Sequence, residues 1–77
     1  MKTQKDKALL KRLGLHVRKL RKQRELSYRK LSVLCNLEHH RIYEIEQGRI
    51  NITFTTFIEL ASGLDVEPAE LLKFLKD

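Results

Sequence analysis

The sequence predicts an all-α domain of five short helices, and three observations carry that expectation. Apolar residues recur at three- and four-residue intervals through most of the chain, and no segment alternates as a half-buried strand does. The polar breaks between periodic segments are only about two to five residues long, as in a packed helical domain. With 77 residues the chain holds one such domain. At that size about 60% of the unfolded surface is buried on folding, too little to divide between two cores. The domain is expected over residues 7–77, behind a polar, aperiodic stretch from Met1 to Asp6 that reads as a flexible N-terminus.

Leu10, Leu13, Val17 and Leu20 form the stripe of the first helix, flanked by Lys11, Arg12, Arg18, Lys19 and Lys22, and the helix is expected to end near Arg24 or Glu25. Ser27 is a good N-cap for a second helix with Leu31, Leu34 and Cys35 inward, although Lys30 stands where a capping box would place Glu or Gln. Asn36 suits the following tight turn because its side chain tolerates left-handed dihedrals. Leu37 packs beneath the turn, a third helix begins around Glu38, and Gly48 caps its C-terminus. After a loop from Arg49 to Ile52, Thr53 caps a fourth helix whose Phe54, Phe57, Ile58, Ala61 and Leu64 have the spacing of a buried face. Glu67 and Pro68 open a fifth, because proline is pre-set for the first helical position and Glu70 suits the positive end of the dipole.

Composition excludes several classes. A single cysteine, Cys35, permits no internal disulfide. No apolar run approaches the roughly 18 residues of a membrane span or sits behind a signal-peptide n-region, so the expected location is cytoplasmic, with no membrane partner. Charge is uneven: residues 1–49 hold 14 Lys/Arg against 5 Asp/Glu, whereas residues 50–77 hold 2 against 5. A positive field confined to the first two-thirds of the molecule suggests a polyanion on that side.

The stretch LEHHRIYEIEQG, Leu37 to Gly48, concentrates the candidate chemistry. At about 100° per residue, Ile42, Ile45 and Glu46 share the inward face, His40, Tyr43, Glu44 and Gln47 point away, and His39 and Arg41 flank them. Adjacent histidines diverge by about 100° and cannot close on one ion as an i, i+4 pair would. Neither a nucleophile, a carboxylate pair nor a Gly-rich phosphate loop accompanies them. No metal, cofactor, catalytic residue or small-molecule ligand is therefore expected. The outward face either contacts something outside the protein or is simply solvated, with His40 and Glu44 as an i, i+4 pair.

From Leu13 to Leu72 the chain resembles the phage-repressor and Cro type of helix-turn-helix protein, the XRE family. The residues carrying the resemblance are Arg21, the Leu26-Ser27 step into the second helix, Leu31, Ile42, the run Ile45-Glu46-Gln47-Gly48, then Leu60-Ala61, Leu64 and Leu71-Leu72. The resemblance implies a five-helix repressor-like fold in which the second and third helices bind DNA and the third enters the major groove. It places His39, His40, Arg41, Tyr43 and Glu44 in the groove, and it implies a structural pair between Arg21 and Glu46. A partly buried carboxylate needs such a partner. Three positions depart from the pattern: Tyr28 replaces the usual glutamine, Asn36 the usual turn glycine, and Ile52 a frequent proline. Glu44 is repelled by phosphates, so it either accepts from a cytosine amino group or holds His40 or Arg41 in place.

The resulting expectation is a sequence-specific transcription regulator of double-stranded DNA. Lys19, Lys22, Tyr28, Arg29, Lys30 and Arg49 would engage phosphates while the third helix reads base edges. Leu71, Leu72, Phe74 and Leu75 spread over about 160° of the fifth helix, wider than one core contact needs, and point to a homodimer on a palindromic operator. Small stand-alone relatives of this type include the controller proteins of restriction-modification systems. The alternative is a protein-interaction module, such as an antitoxin of a toxin-antitoxin pair.

Overall fold

A computed structural model describes residues 4–76, and within them every regular element is helical. Helix α1 (Gln4–Gln23) buries Leu10, Val17 and Leu20 and packs Leu13 partly against the core, as the stripe predicts. It takes in Gln4–Asp6, which the sequence places in a flexible terminus; Asp6 in the first turn favours the positive end of the helix dipole. Met1–Thr3 and Asp77 lie outside the described residues.

Helix α2 (Tyr28–Cys35) is capped by Ser27, whose hydroxyl accepts from the Lys30 N–H at 3.1 Å, and ends at Asn36 in the left-handed conformation (φ 56°). Leu31 and Cys35 are buried, but Leu34, expected inward, is 56% exposed. An eight-residue helix presents one narrow strip to its neighbours, and the i, i+4 pair Leu31 and Cys35 fills it. Helix α3 (His39–Glu46) follows Glu38 and turns out at Gly48.

Thr53 caps α4 (Phe54–Gly63), its hydroxyl accepting from the Thr56 N–H at 3.2 Å. Its buried face is rotated from the predicted one. Ala61 and Leu64 are inside and Phe57 is half-buried, but Thr56 and Leu60 occupy the places expected for Phe54 and Ile58, which are exposed. Gly63 explains the rotation: α4 meets α2 there so closely that a Cβ on Gly63 would lie 2.7 Å from the Cβ of Cys35. Thr56 is buried without cost because its hydroxyl accepts from Thr53 at 3.0 Å.

The fifth helix begins at Pro68 as expected but lasts one turn (α5, Pro68–Leu71) before a 3-10 turn over Lys73–Lys76. Side chains of α1 hold this segment. His16 donates from Nε2 to the Glu70 carbonyl at 2.8 Å, and the Arg12 guanidinium donates to the Phe74 carbonyl. Leu71 and Phe74 turn inward, and the core runs from Val17 and Leu20 through Leu31, Ile42, Ile45, Leu60 and Leu64 to Leu71. Among the described residues no helix is long and apolar enough to cross a membrane.

Candidate nucleic-acid interface

Helix α3 is fixed from behind. Ile42 and Ile45 enter the core, and beside them Glu46 is only 3% exposed. Its carboxylate meets Arg21 in a two-point pair, Nε to Oε2 at 2.6 Å and Nη2 to Oε1 at 3.1 Å, as the family resemblance implies. The third guanidinium nitrogen donates to the Leu26 carbonyl at 2.8 Å, and the guanidinium lies 4.1 Å from the centre of the Tyr28 ring. Hydrogen bonding to Glu46 raises the Arg21 pKa further above its ordinary value.

Backbone contact completes the seat. A Cβ on Gly14 would lie 2.5 Å from the Ile45 carbonyl oxygen and closer still to that of Glu46, so α1 and α3 touch through their main chains. Past the end of α3, Gly48 takes φ 73°, its N–H bonding to Ile45 O at 3.0 Å and the Arg49 N–H to Glu44 O at 3.1 Å. This is a Schellman-type ending, and it folds Arg49 back beside α3.

The opposite face of α3 is open. His39, His40 and Arg41 are exposed, while Tyr43 and Glu44 are half-buried within a frame of neighbours. The His40 ring stacks on Tyr43 (6.2 Å between centres, planes 23° apart), Tyr28 meets Tyr43 edge-on at 5.8 Å, and the Arg49 guanidinium lies 5.7 Å from the Tyr43 ring. The carboxylate of Glu44 pairs with Arg49 at 3.2 Å. Its partner is thus neither His40 nor Arg41, because the Gly48 turn brings Arg49 within reach. Tyr28 supplies through its ring the bridge to α3 that a glutamine would make by hydrogen bonding. Burial, and secondarily the Glu46 charge, raise its phenol pKa, so the hydroxyl stays a donor.

Around this face, Lys22, Arg29, Lys30 and Arg49 are exposed, and the Tyr28–Tyr43 contact sets the N-terminus of α2 beside the outward face of α3. Lys19 stands apart: it lines a hollow with His16, Gln23, Glu70, Lys73 and Phe74, against the C-terminal segment. The four apolar residues expected at a dimer contact divide equally. Leu71 and Phe74 are consumed by the core, whereas Leu72 and Leu75 remain exposed. With exposed Leu9 and Phe54, these two border a cavity of about 360 Å³ floored by Leu10, Leu13, Ile52 and Phe57. Sequence reading missed the parts played by Gly14 and Phe54. The signal for the first was present, since a glycine inside a periodic helix costs stability and marks a close approach.

A family model described as a helix-turn-helix domain matches residues 12–74. Among solved structures, the restriction-modification controller protein C.AhdI from Aeromonas hydrophila is 34% identical, with a TM-score of 0.81, 83% of this chain covered and 97% of that one. The wild-type restriction-modification controller protein C.Esp1396I is 23% identical (TM-score 0.81; 88% and 90% covered). The clp gene regulator ClgR from C. glutamicum is 20% identical (TM-score 0.81; 88% of each covered). The comparison with curated proteins returned no match.

Proposed function

The chain belongs to the helix-turn-helix family, of the phage-repressor and Cro type, and is a DNA-binding transcriptional regulator; from that premise we propose that it acts in the cytoplasm as a homodimer on a palindromic operator. Its family and fold are regulatory rather than enzymatic. The observation that carries the reading is the division of α3: its inner face is locked by Ile42, Ile45 and the Arg21–Glu46 pair, and its outer face turns His39, His40 and Arg41 to solvent. A rigid helix with donors on its free side is what base-edge readout in a major groove requires.

In this reading His39, His40 and Arg41 contact base edges, and Tyr43 and Glu44 frame them. Lys22, Tyr28, Arg29, Lys30 and Arg49 engage phosphates on either side and set the register. Arg49 can exchange Glu44 for a phosphate, since its side chain is largely exposed. A second copy seated on the face bordered by Leu9, Phe54, Leu72 and Leu75 would cover this apolar hollow and, by two-fold symmetry, present two α3 helices to two half-sites. The likeness to C.AhdI supports a controller role of the same kind.

Selection of a binding site from random duplexes, followed by fluorescence anisotropy across a salt series, tests the proposal. A selected palindrome, and affinity falling with salt at a logarithmic slope of about −0.9 per neutralised phosphate, are the expected results. Failure to bind any duplex at low salt refutes it, and a monomer by sedimentation at the concentrations that saturate the site refutes the homodimer.

A further inference from the structure

Helix α1 carries a lane of cations outside the α2–α3 unit. At about 100° per residue, Lys7, Arg18, Lys11 and Lys22 fall within roughly 60° of one another, next to the Gly14 and Arg21 edge that abuts α3. All four are exposed, and none is ion-paired among the described residues. Two contacts tie the lane to the reading helix. The Lys11 backbone abuts the Gly48 turn, where an added Cβ would lie 2.7 Å from the Lys11 Cα. Lys7 and Lys11 also share an open cleft of about 440 Å³ with Gln47, Gly48 and Arg49. At the lane's other end the Arg18 charge acts on the Tyr28 phenol.

We propose that Lys7, Lys11 and Arg18 form a second track for the sugar-phosphate backbone of DNA, extending the contact made by the N-terminus of α2 and by Arg49 along α1. The inference rests on the DNA-binding reading. From Lys7 to Arg18 the helix rises about 17 Å, the axial rise of roughly five base-pair steps of a duplex. Lys19, about 60° beyond the lane's edge at Lys22, belongs to the other side of the helix with His16 and Phe74. The track carries charge only, so it contributes equally to every sequence.

The test uses the full chain, a 40-base-pair duplex holding the selected site and a random duplex of equal length. The variants are Lys7→Ala/Lys11→Ala, Arg18→Ala and, as a control on the far side, Lys76→Ala. The double variant is expected to reduce the magnitude of the salt slope by about 1.8 per bound protomer, or about 3.6 for a dimer, and Arg18→Ala by about 0.9 per protomer, or about 1.8 for a dimer, each weakening both duplexes by the same factor. Lys76→Ala should leave the slope unchanged, and melting temperatures should match the parent in all three. An unchanged slope in the double variant overturns the track, as does a loss confined to the selected site. If the parent binds neither duplex, the DNA-binding reading falls as well, and the two failures are told apart by the parent alone.

Discussion

Removing either partner of the Arg21–Glu46 pair should destabilise the fold far more than a surface pair would. The side chains are 6% and 0% exposed, and both carboxylate oxygens receive donors. Arg21→Ala strands a desolvated carboxylate, a loss of about 3–5 kcal/mol. It also removes the cation from the Tyr28 ring, worth about 0.5–2 kcal/mol, and a donor from the Leu26 carbonyl. A domain of this size holds about 4–12 kcal/mol in total, and each kcal/mol moves its melting temperature by about 4–8 °C. Arg21→Ala should therefore melt at least about 12 °C below the parent, and Glu46→Ala nearly as far. The double variant should lose clearly less than the sum, because the second truncation removes the charge that the first left stranded. Circular-dichroism melts of the four proteins complete the cycle. Singles that melt like the parent, or losses that add, would show that the pair is not a coupled buried unit and that α3 is held by its isoleucines alone.

Four further outcomes are expected. Gly14→Ala should lose stability despite the better helix propensity of alanine, because its Cβ enters the α3 main chain and overpacking costs about 1–3 kcal/mol; a raised melting temperature contradicts the backbone contact. Arg41→Ala and His40→Ala should each cost about 1–3 kcal/mol on the selected operator and little on random DNA, and equal losses on both would reassign them to phosphates. Phe54→Asp or Leu75→Asp should shift sedimentation toward monomer without lowering the melting temperature of a dilute sample; an unshifted dimer places the interface elsewhere. Burial raises the Cys35 thiol pKa, so native protein at pH 8 should react with a disulfide reagent far more slowly than protein in urea. With the folded value above the unfolded one, Cys35 supports the fold below the ordinary thiol range near 8.5, and that support is lost as pH rises past it; fast native labelling refutes its burial.

Caps and turns were legible because their chemistry is local. Ser27, Asn36, Gly48, Thr53 and Pro68 each act within about three residues of themselves, and each sits where the sequence puts it. The inward Glu46 was legible from helix phase, and its partner from the family pattern. What required the tertiary structure was the choice between competing apolar faces. Helix α4 spreads Phe54, Ile58, Leu60 and Leu64 over about 160° of its circumference, and the close approach of Gly63 to Cys35 decides which of them go inside. Leu34 is displaced for a similar reason. The pairing of Glu44 with Arg49 was not legible, because the turn at Gly48, and not helical spacing, delivers Arg49. That Lys19 lies against the C-terminal segment also needed the tertiary structure, because spacing says nothing about which element covers the next sector of α1.

The separation of the two faces of α3 also bears on how such proteins diverge. The side chains of His39 and Arg41 are exposed and make no hydrogen bond among the described residues, and substitutions at such exposed positions usually change stability by less than about 0.5 kcal/mol. If these two residues read bases as proposed, a duplicated gene can exchange their codons, acquire a new preferred target and keep a folded product through every intermediate. Tyr43 and Glu44, bound to Tyr28 and Arg49, do not share that freedom and should drift only in company with their neighbours.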